Sequence, residues 1–337
     1  MKFIGFLLLL IILVGFTGGV LATFYIYAPY GPTTETFVEI APHTGTQAIA
    51  AQLEQKGIIR SRYAFEFLKL GRKGTLKAGE YRFDHPAPLT QVYNRIAKGD
   101  IFFHTLTIPE GYNIFDIARA VEAAGLGQRD EFLSEEQHHT ELIAEWMTGD
   151  SHPPDSLEGY LFPDTYHFAR HTPAVHILAA MVRRFRQASQ QLGLTHDVPR
   201  TVILASLVEK EVSQAGERPL VAGVFLNRLD KNIPLATDPT VIYAALLDKH
   251  WRGTIYASDL RSPSPYNTYR HAGLPPGPIC NPGMASFRAV LSPAKTDYLY
   301  FVADAAGHSR FAATLKEHNQ NVQQYRKSLQ NQTNPVP

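Results

Sequence analysis

The chain has 337 residues, 45% hydrophobic and 19% charged, an ordinary globular balance in a length that exceeds one minimal domain. Its 32 lysines and arginines stand against 31 aspartates and glutamates, which removes the electrostatic argument for nucleic-acid binding, because phosphate contacts need a clustered excess of cations. The single cysteine, Cys280, excludes an internal disulfide and a cysteine-based zinc site and reads as a small semi-buried residue in a Pro/Gly loop.

Residues 3–28 form an apolar run, with no charge between Lys2 and Glu35. At about 1.5 Å per residue a helix of this length covers roughly 39 Å, enough to cross a hydrocarbon core of about 30 Å with tilt. A cleaved signal peptide is the competing reading, with Val20-Leu21-Ala22 imitating a cleavage site, but the run exceeds the usual apolar core of roughly 7–15 residues. The expectation is an uncleaved anchor over residues 1–30, with Lys2 on the cytoplasmic side, the rest of the chain outside, and Tyr25, Tyr27 and Tyr30 at the outer interface.

Residues 36–104 read as a small α+β module. "TFVEI" alternates as a strand, Thr46 caps a helix carrying Ile49 and Leu53, and Ser61 starts another with Phe65 and Leu68 that stops at Gly71. A second strand is expected over 76–83, followed by a short helix from Thr90 to near Gly99. From 105 to 329 a larger mixed domain follows. It opens with the strand 101–108 and a helix bearing Ile114, Ile117, Ala118 and Val121, then a polar helix and an exposed proline-rich connection. His138 and His139 invite a metal site with Glu135 and Glu141, but adjacent helical histidines point about 100° apart and no H-E-x-x-H pattern exists, so a solvated face is expected. "LEGYLFPDTYHF" (157–168) is dense in aromatics, which suits either core packing or sugar stacking. Helices are expected at 173–193 and 200–213 and over "RPLVAGVFLNRLD". A loop-rich stretch at 234–284, a hairpin around Ala305–Gly307, a capping box "TLKE" opening a last helix, and a mobile tail at 330–337 complete the chain.

No G-x-S-x-G elbow, Walker A loop or G-x-G-x-x-G is present, so triad hydrolysis and nucleotide chemistry lack their signals. Carboxylates remain. On the helix 200–213, Glu211 lies three, four and seven residues after Val208, Leu207 and Leu204, continuing the most apolar stripe, whereas Glu209 follows Val202, Ala205 and Ser206. A carboxyl extending an apolar wall is desolvated and its pKa rises toward general-acid range. Spacing alone leaves open that both glutamates are exposed last-turn residues.

The strings "ASLVEKE", "VAGVFLNRL", "TDPTVIYA", "YNTY", "GLPPGPI", "NPG", "YLYFVAD" and "HNQ", in this order over residues 200–325, resemble the endolytic murein transglycosylase, or YceG-like, family; "IPEGY" and "EGYLFPDTY" fit it as well. The resemblance implies an inner-membrane anchor with the catalytic domain on the periplasmic side, a LysM-like module at 36–104 and a catalytic domain that cuts peptidoglycan glycan strands internally. Its catalytic acid falls on Glu211, and no cofactor or metal is implied. The implied reaction leaves a 1,6-anhydro-muramic end, near the synthases that polymerise glycan. Glu209, Glu217, Thr237, Asp238, Thr240, Tyr266, Asn267 and Tyr269 are expected at the substrate, although Glu217 with Arg218 also reads as a salt bridge and Asp238 before a proline as a turn former. Gly216 and Cys280 depart from the residues usual at those places in the family and are assigned no part. The rival readings are a hydrolytic muramidase assisted by Glu209 or Asp164, and a wall-binding protein without activity.

Overall fold

The computed structural model describes residues 2–147, 155–212, 214–304 and 307–333. The proline-rich connection expected near 148–154 and the last residues of the expected tail lie outside them. The chain forms two compact units, Met1–Thr105 with His167–His171, and Leu106–Tyr166 with Thr172–Pro337.

The first unit begins with α1 (Lys2–Tyr27), a single apolar helix whose stretch Leu9–Tyr27 has the length and mean hydropathy, 2.3, of a membrane span. β1 (Thr36–Ile40) leads through α2 (Thr46–Gln55) and α3 (Arg62–Leu70) to β2 (Gly79–Phe83), which pairs antiparallel with β1 with Val38 opposite Tyr81. α4 (Leu89–Lys98) closes the layer. Val38, Ile40, Ile49, Leu53, Phe65, Tyr81 and Ile96 share one core. Two boundaries differ from expectation. Thr46 is the first helical residue and Gly45, extended at φ −70° and ψ 156°, takes the cap position. Lys77 donates its N–H to Ile96 O at 3.2 Å, at the end of α4, so the second strand starts only at Gly79. Glu80, buried among these elements, is held by Arg170 at 2.6 Å and His104 at 2.7 Å. The chain runs between the units in β3 (Phe103–Thr107) and β4 (Thr165–Ala169), which pair.

The second unit is mainly helical. α5 (Ile114–Ala123) starts with a capping box in which Asn113 Oδ1 accepts from Asp116 N at 2.9 Å. α6 (Arg129–His138) is followed by a 3-10 turn at Thr140–Trp146, where His139 pairs with Glu135 and Glu141. The aromatic segment after residue 157 goes to the core in part: Tyr160 stacks on Trp146 and meets Phe185 of α7 (Ala174–Leu192) edge to face. α8 (Val198–Glu211) and α9 (Arg218–Asp230) follow. The stretch expected to be loop-rich contains a further helix, α10 (Asp238–Leu247), capped at Thr237 with Pro239 in its first turn. Its run "TVIYAALL" is mostly buried, so it lacks the one-sided periodicity that would mark a surface helix. α11 (Met284–Leu291) packs on α8 and α9, and the hairpin of β5 (Tyr300–Ala303) with β6 (Ser309–Ala312) precedes α12 (Leu315–Thr333). The expected capping box is present, with Thr314 N and Glu317 N each reaching the other residue's side chain.

Asn281, fully buried, joins three segments far apart in sequence. Its Oδ1 accepts from Leu161 N at 2.8 Å, its Nδ2 donates to Glu158 Oε1 at 2.7 Å and Tyr112 O at 3.0 Å, and its backbone pairs with Gly111 and Tyr112. Burial pushes the Glu158 carboxyl up to about 8, so near neutral pH it is mainly protonated in its pocket. Gly159 beside it adopts φ +86°, and a Cβ there would strike Val202 and Pro278. Asn281→Ala leaves several of these buried groups without a partner and is expected to cost about 3 kcal/mol of unfolding free energy, read from denaturant titration.

Candidate active site

α8 carries the acid singled out by the helical spacing. Leu204, Leu207 and Val208 are buried and join Val221, Phe225 and Tyr243 in one apolar cluster. Glu211 is the next position on that stripe and the last residue of the helix, where the backbone leaves through Val212 in extended conformation. Burial pushes its carboxyl up to about 7 against the downward pull of the Thr237 hydroxyl, while the Asp238 carboxylate adds to the rise and the Arg228 guanidinium opposes it. The C-terminal end of the helix dipole also disfavours its anion.

The groups around Glu211 are fixed by a knot of threonines and one arginine. Thr237 is 2% exposed, its N–H donates to Thr268 Oγ1 at 3.1 Å, and Thr240 Oγ1 donates to Thr237 O at 2.7 Å. Thr237 Oγ1 faces the Glu211 carboxyl but makes no hydrogen bond of ordinary geometry, so a buried hydroxyl retains bonding capacity toward the site. Asp238, the next residue, accepts from the Tyr269 hydroxyl at 2.7 Å. Arg228 spreads its fork over backbone carbonyls, Leu299 O at 2.6 Å, Leu235 O at 2.7 Å and Pro234 O at 3.4 Å, and lies 5.3 Å from the centre of the Tyr300 ring. It therefore ties the segment that ends at Thr237 to the chain entering β5.

Four of the expected site residues come together here: Glu211, Thr237, Asp238 and Tyr269. Thr240 and Asn267 lie behind them, fully buried, with Asn267 donating to Leu260 O and Ser262 O and accepting from Tyr269 N. Tyr266 packs its ring 5.2 Å from that of Tyr243. Glu209 and Glu217 stand in other clusters. The Glu209 side chain is 6% exposed and accepts from Gly283 N at 3.0 Å, Ser286 Oγ at 2.7 Å and Arg218 at 3.2 Å, a full set of donors for an anion. Glu217 accepts from Ser309 N with both oxygens at 3.1 Å and meets His308 at 3.4 Å, holding the start of β6. Asp164 is bound by Arg184 at 2.6 Å. Cys280 is buried, its Sγ 3.3 Å from Ser206 O.

Sequence reasoning did not single out Arg228 or Glu110. Arg228 stands inside "VFLNRL", where no spacing rule distinguishes it from a surface arginine. Glu110 of "IPEGY" has a carboxyl pushed up by burial, with Glu209 adding to the rise and Arg218 opposing it. A Cβ on Gly283 would fall on that carboxyl, so the glycine is needed for the approach. In the first unit an open cavity of about 350 Å³ is lined by Arg82, Asp84, His85, Arg95, Asp100 and Phe102. Its charges pair among themselves, Arg82 with Asp84 and Arg95 with Asp100.

Comparison with known proteins identifies the family of the chain. The model of the YceG-like family matches residues 38–324. A protein of Bacillus subtilis (strain 168) named endolytic murein transglycosylase is 35% identical over 312 residues, covering 87% of this chain and 85% of that one. One of the same name from Streptococcus pneumoniae serotype 2 is 32% identical over 323 residues, and the alignment spans 86% of this chain but 58% of that longer protein. A crystal structure of a yceG-like protein from Listeria monocytogenes superposes with a TM-score of 0.56 at 33% identity, over 86% of this chain and 99% of that one. With the match running from β1 into α12, the chain belongs to the YceG-like family.

Proposed function

We propose that this protein is an endolytic murein transglycosylase, a lyase that cuts the glycan strands of peptidoglycan internally, with Glu211 as its acid and base. The observation that carries the reading is a carboxyl at the end of an apolar stripe with its pKa raised to about 7, in a chain whose relatives bear that name. Protonated Glu211 gives its proton to the glycosidic oxygen between N-acetylmuramic acid and N-acetylglucosamine, and oxocarbenium character develops at the muramic C1. The carboxylate left behind takes the proton of the C6 hydroxyl of the same sugar, which closes onto C1. One bond breaks, one forms, Glu211 ends protonated, and no water is consumed.

A hydrolytic glycosidase needs a second carboxylate at a defined separation, whereas the intramolecular hydroxyl acts at high effective concentration. The states of Glu209 and Asp164, each committed to an arginine, support the one-carboxylate reading. Thr237, with its spare hydroxyl capacity, and the Asp238–Tyr269 pair are proposed as the substrate contacts nearest the acid. Thr240, Asn267 and Tyr266 shape the wall behind them, and Glu209 and Glu217 hold the loops that frame it.

The strand–helix–helix–strand order of the first unit supports a LysM-like module, and α1 supports a single-pass anchor. We place the anchor in the inner membrane, with Lys2 in the cytoplasm and the catalytic unit on the periplasmic side, where cutting nascent strands near their synthases terminates elongation.

Glu211→Gln is expected to lower strand cleavage by about 10³-fold, the usual worth of a general acid. Glu209→Gln is expected to retain cleavage and lower the unfolding midpoint, because Arg218 loses its carboxylate. Loss of cleavage in the second variant with retention in the first reverses the assignment.

The pH profile gives an independent check. Cleavage by the native protein falls as pH rises through about 7, where the acid loses its proton. Arg228→Met removes a cation that favours the anion, so the falling limb moves to higher pH; Asp238→Asn removes an anion that disfavours it, so the limb moves lower. Rates measured from roughly pH 5 to about pH 9 resolve both movements.

A further inference from the structure

The nine residues of α3 carry two apolar faces. Ala64, Phe65 and Leu68 turn toward the core of the first unit. Tyr63, Phe67 and Leu70, at positions i, i+4 and i+7, lie within about 60° of one another at 100° per residue. They face away from the core, 66%, 65% and 86% exposed. A surface helix of a soluble domain needs only the first face, and a contiguous exposed apolar patch marks an interaction site.

What the patch adjoins identifies its occupant. α3 packs against α1, and the connection just ahead of α3 is fastened to the end of α1 by Arg60. That guanidinium donates to Ala28 O at 3.3 Å and Pro29 O at 3.1 Å and lies 4.4 Å from the centre of the Phe24 ring and 5.0 Å from that of Tyr30. It caps carbonyls that the helix end leaves without partners. α3 therefore begins two residues from the level at which α1 would leave a bilayer, and it spans only about 14 Å at 1.5 Å per residue. Exposed Phe24, Tyr27 and Tyr30 mark that same level with the aromatic side chains suited to a membrane interface. Arg62, Lys69 and Lys73 flank the patch, with Glu66 the one acid within α3, while Arg72 turns instead to Asn94 and the Tyr93 ring.

We infer that α3 is an interfacial helix, seating Tyr63, Phe67 and Leu70 at the headgroup–acyl boundary of the bilayer that α1 spans, with its cations among anionic headgroups. The inference rests on α1 being a membrane span. The seat holds the first unit on the membrane surface through a second, short amphipathic contact instead of by a tether alone.

The full chain is reconstituted in phosphatidylcholine–phosphatidylglycerol vesicles, with an environment-sensitive fluorophore on a single introduced cysteine, Phe67→Cys or Leu13→Cys in turn. Cys280 is buried and its thiol pKa is raised well above the ordinary value, so the native cysteine stays unlabelled. The expected result at position 67 is blue-shifted emission, loss of most of that emission to lipids bearing a nitroxide near the headgroup, and shielding from aqueous iodide. Position 13 is expected to lose its emission to lipids labelled deep in the acyl chain. Quenching at 13 with iodide-accessible, lipid-insensitive emission at 67 overturns the interfacial helix while sparing the anchor. A blue shift at 67 without lipid quenching also overturns it, in favour of a protein partner. No quenching at 13 removes the anchor and the inference together.

Discussion

A carboxyl group keeps its proton near neutral pH only where its anion is poorly solvated, and the end of α8 supplies such surroundings at Glu211. The acid stands at the end of a helix whose preceding turns are sealed by Leu204, Leu207 and Val208, so its immediate support is apolar. Burial raises its pKa to about 7 against the Thr237 hydroxyl, the largest downward influence, while Asp238 adds to the rise and Arg228 opposes it. A group that must first donate and then accept a proton needs this middle value. Two residues away, Glu209 has the same chemistry and different surroundings: Gly283 N, the Ser286 hydroxyl and the Arg218 guanidinium donate to its carboxyl. Environment, not residue type, separates the proposed acid from a carboxyl held by three donors.

Positioning depends on loops that are tied at several points. Arg228 uses its guanidinium fork on carbonyls from two segments, and the hydroxyls of Thr240 and Thr268 fix the turn that presents Thr237. Asn281 does the same on a larger scale, joining "IPEGY", "LEGYLF" and "CNPG" through bonds that no local helix or strand ladder supplies. Such a framework holds irregular backbone with its polar groups satisfied, which keeps long loops in one arrangement.

Much of this was legible from the chain alone where the signal is local. The uninterrupted run to Ala28 announces α1, alternation announces β1, and the three-, four- and seven-residue spacing puts Glu211 on a more apolar stripe than Glu209 while leaving open that both are exposed last-turn residues. The capping box at Thr314 and Glu317 is equally local. Other features are invisible in principle to such rules. Asn281 reaches Leu161 across 120 positions, and nothing in "NPG" tells which carbonyls its amide will meet. α10 is buried on several sides, so its apolar run carries no periodicity, and the turn-forming "TDP" at its start reads as a loop. Arg228 acts through carbonyls, which leave no side-chain signature. The second face of α3 was present in the sequence as Tyr63, Phe67 and Leu70, but only the packing of Phe65 and Leu68 reveals that those three are surplus to the core.

In the proposed reaction one carboxyl performs the cleavage and the sugar's own hydroxyl completes it. The most direct measurement is mass spectrometry of glycan strands digested by the full-length protein in water enriched in oxygen-18. New muramic ends are expected to be lighter by one water than reducing ends and to carry no heavy oxygen at any extent of digestion. Reducing ends that incorporate oxygen-18 would contradict it and make the reaction a hydrolysis.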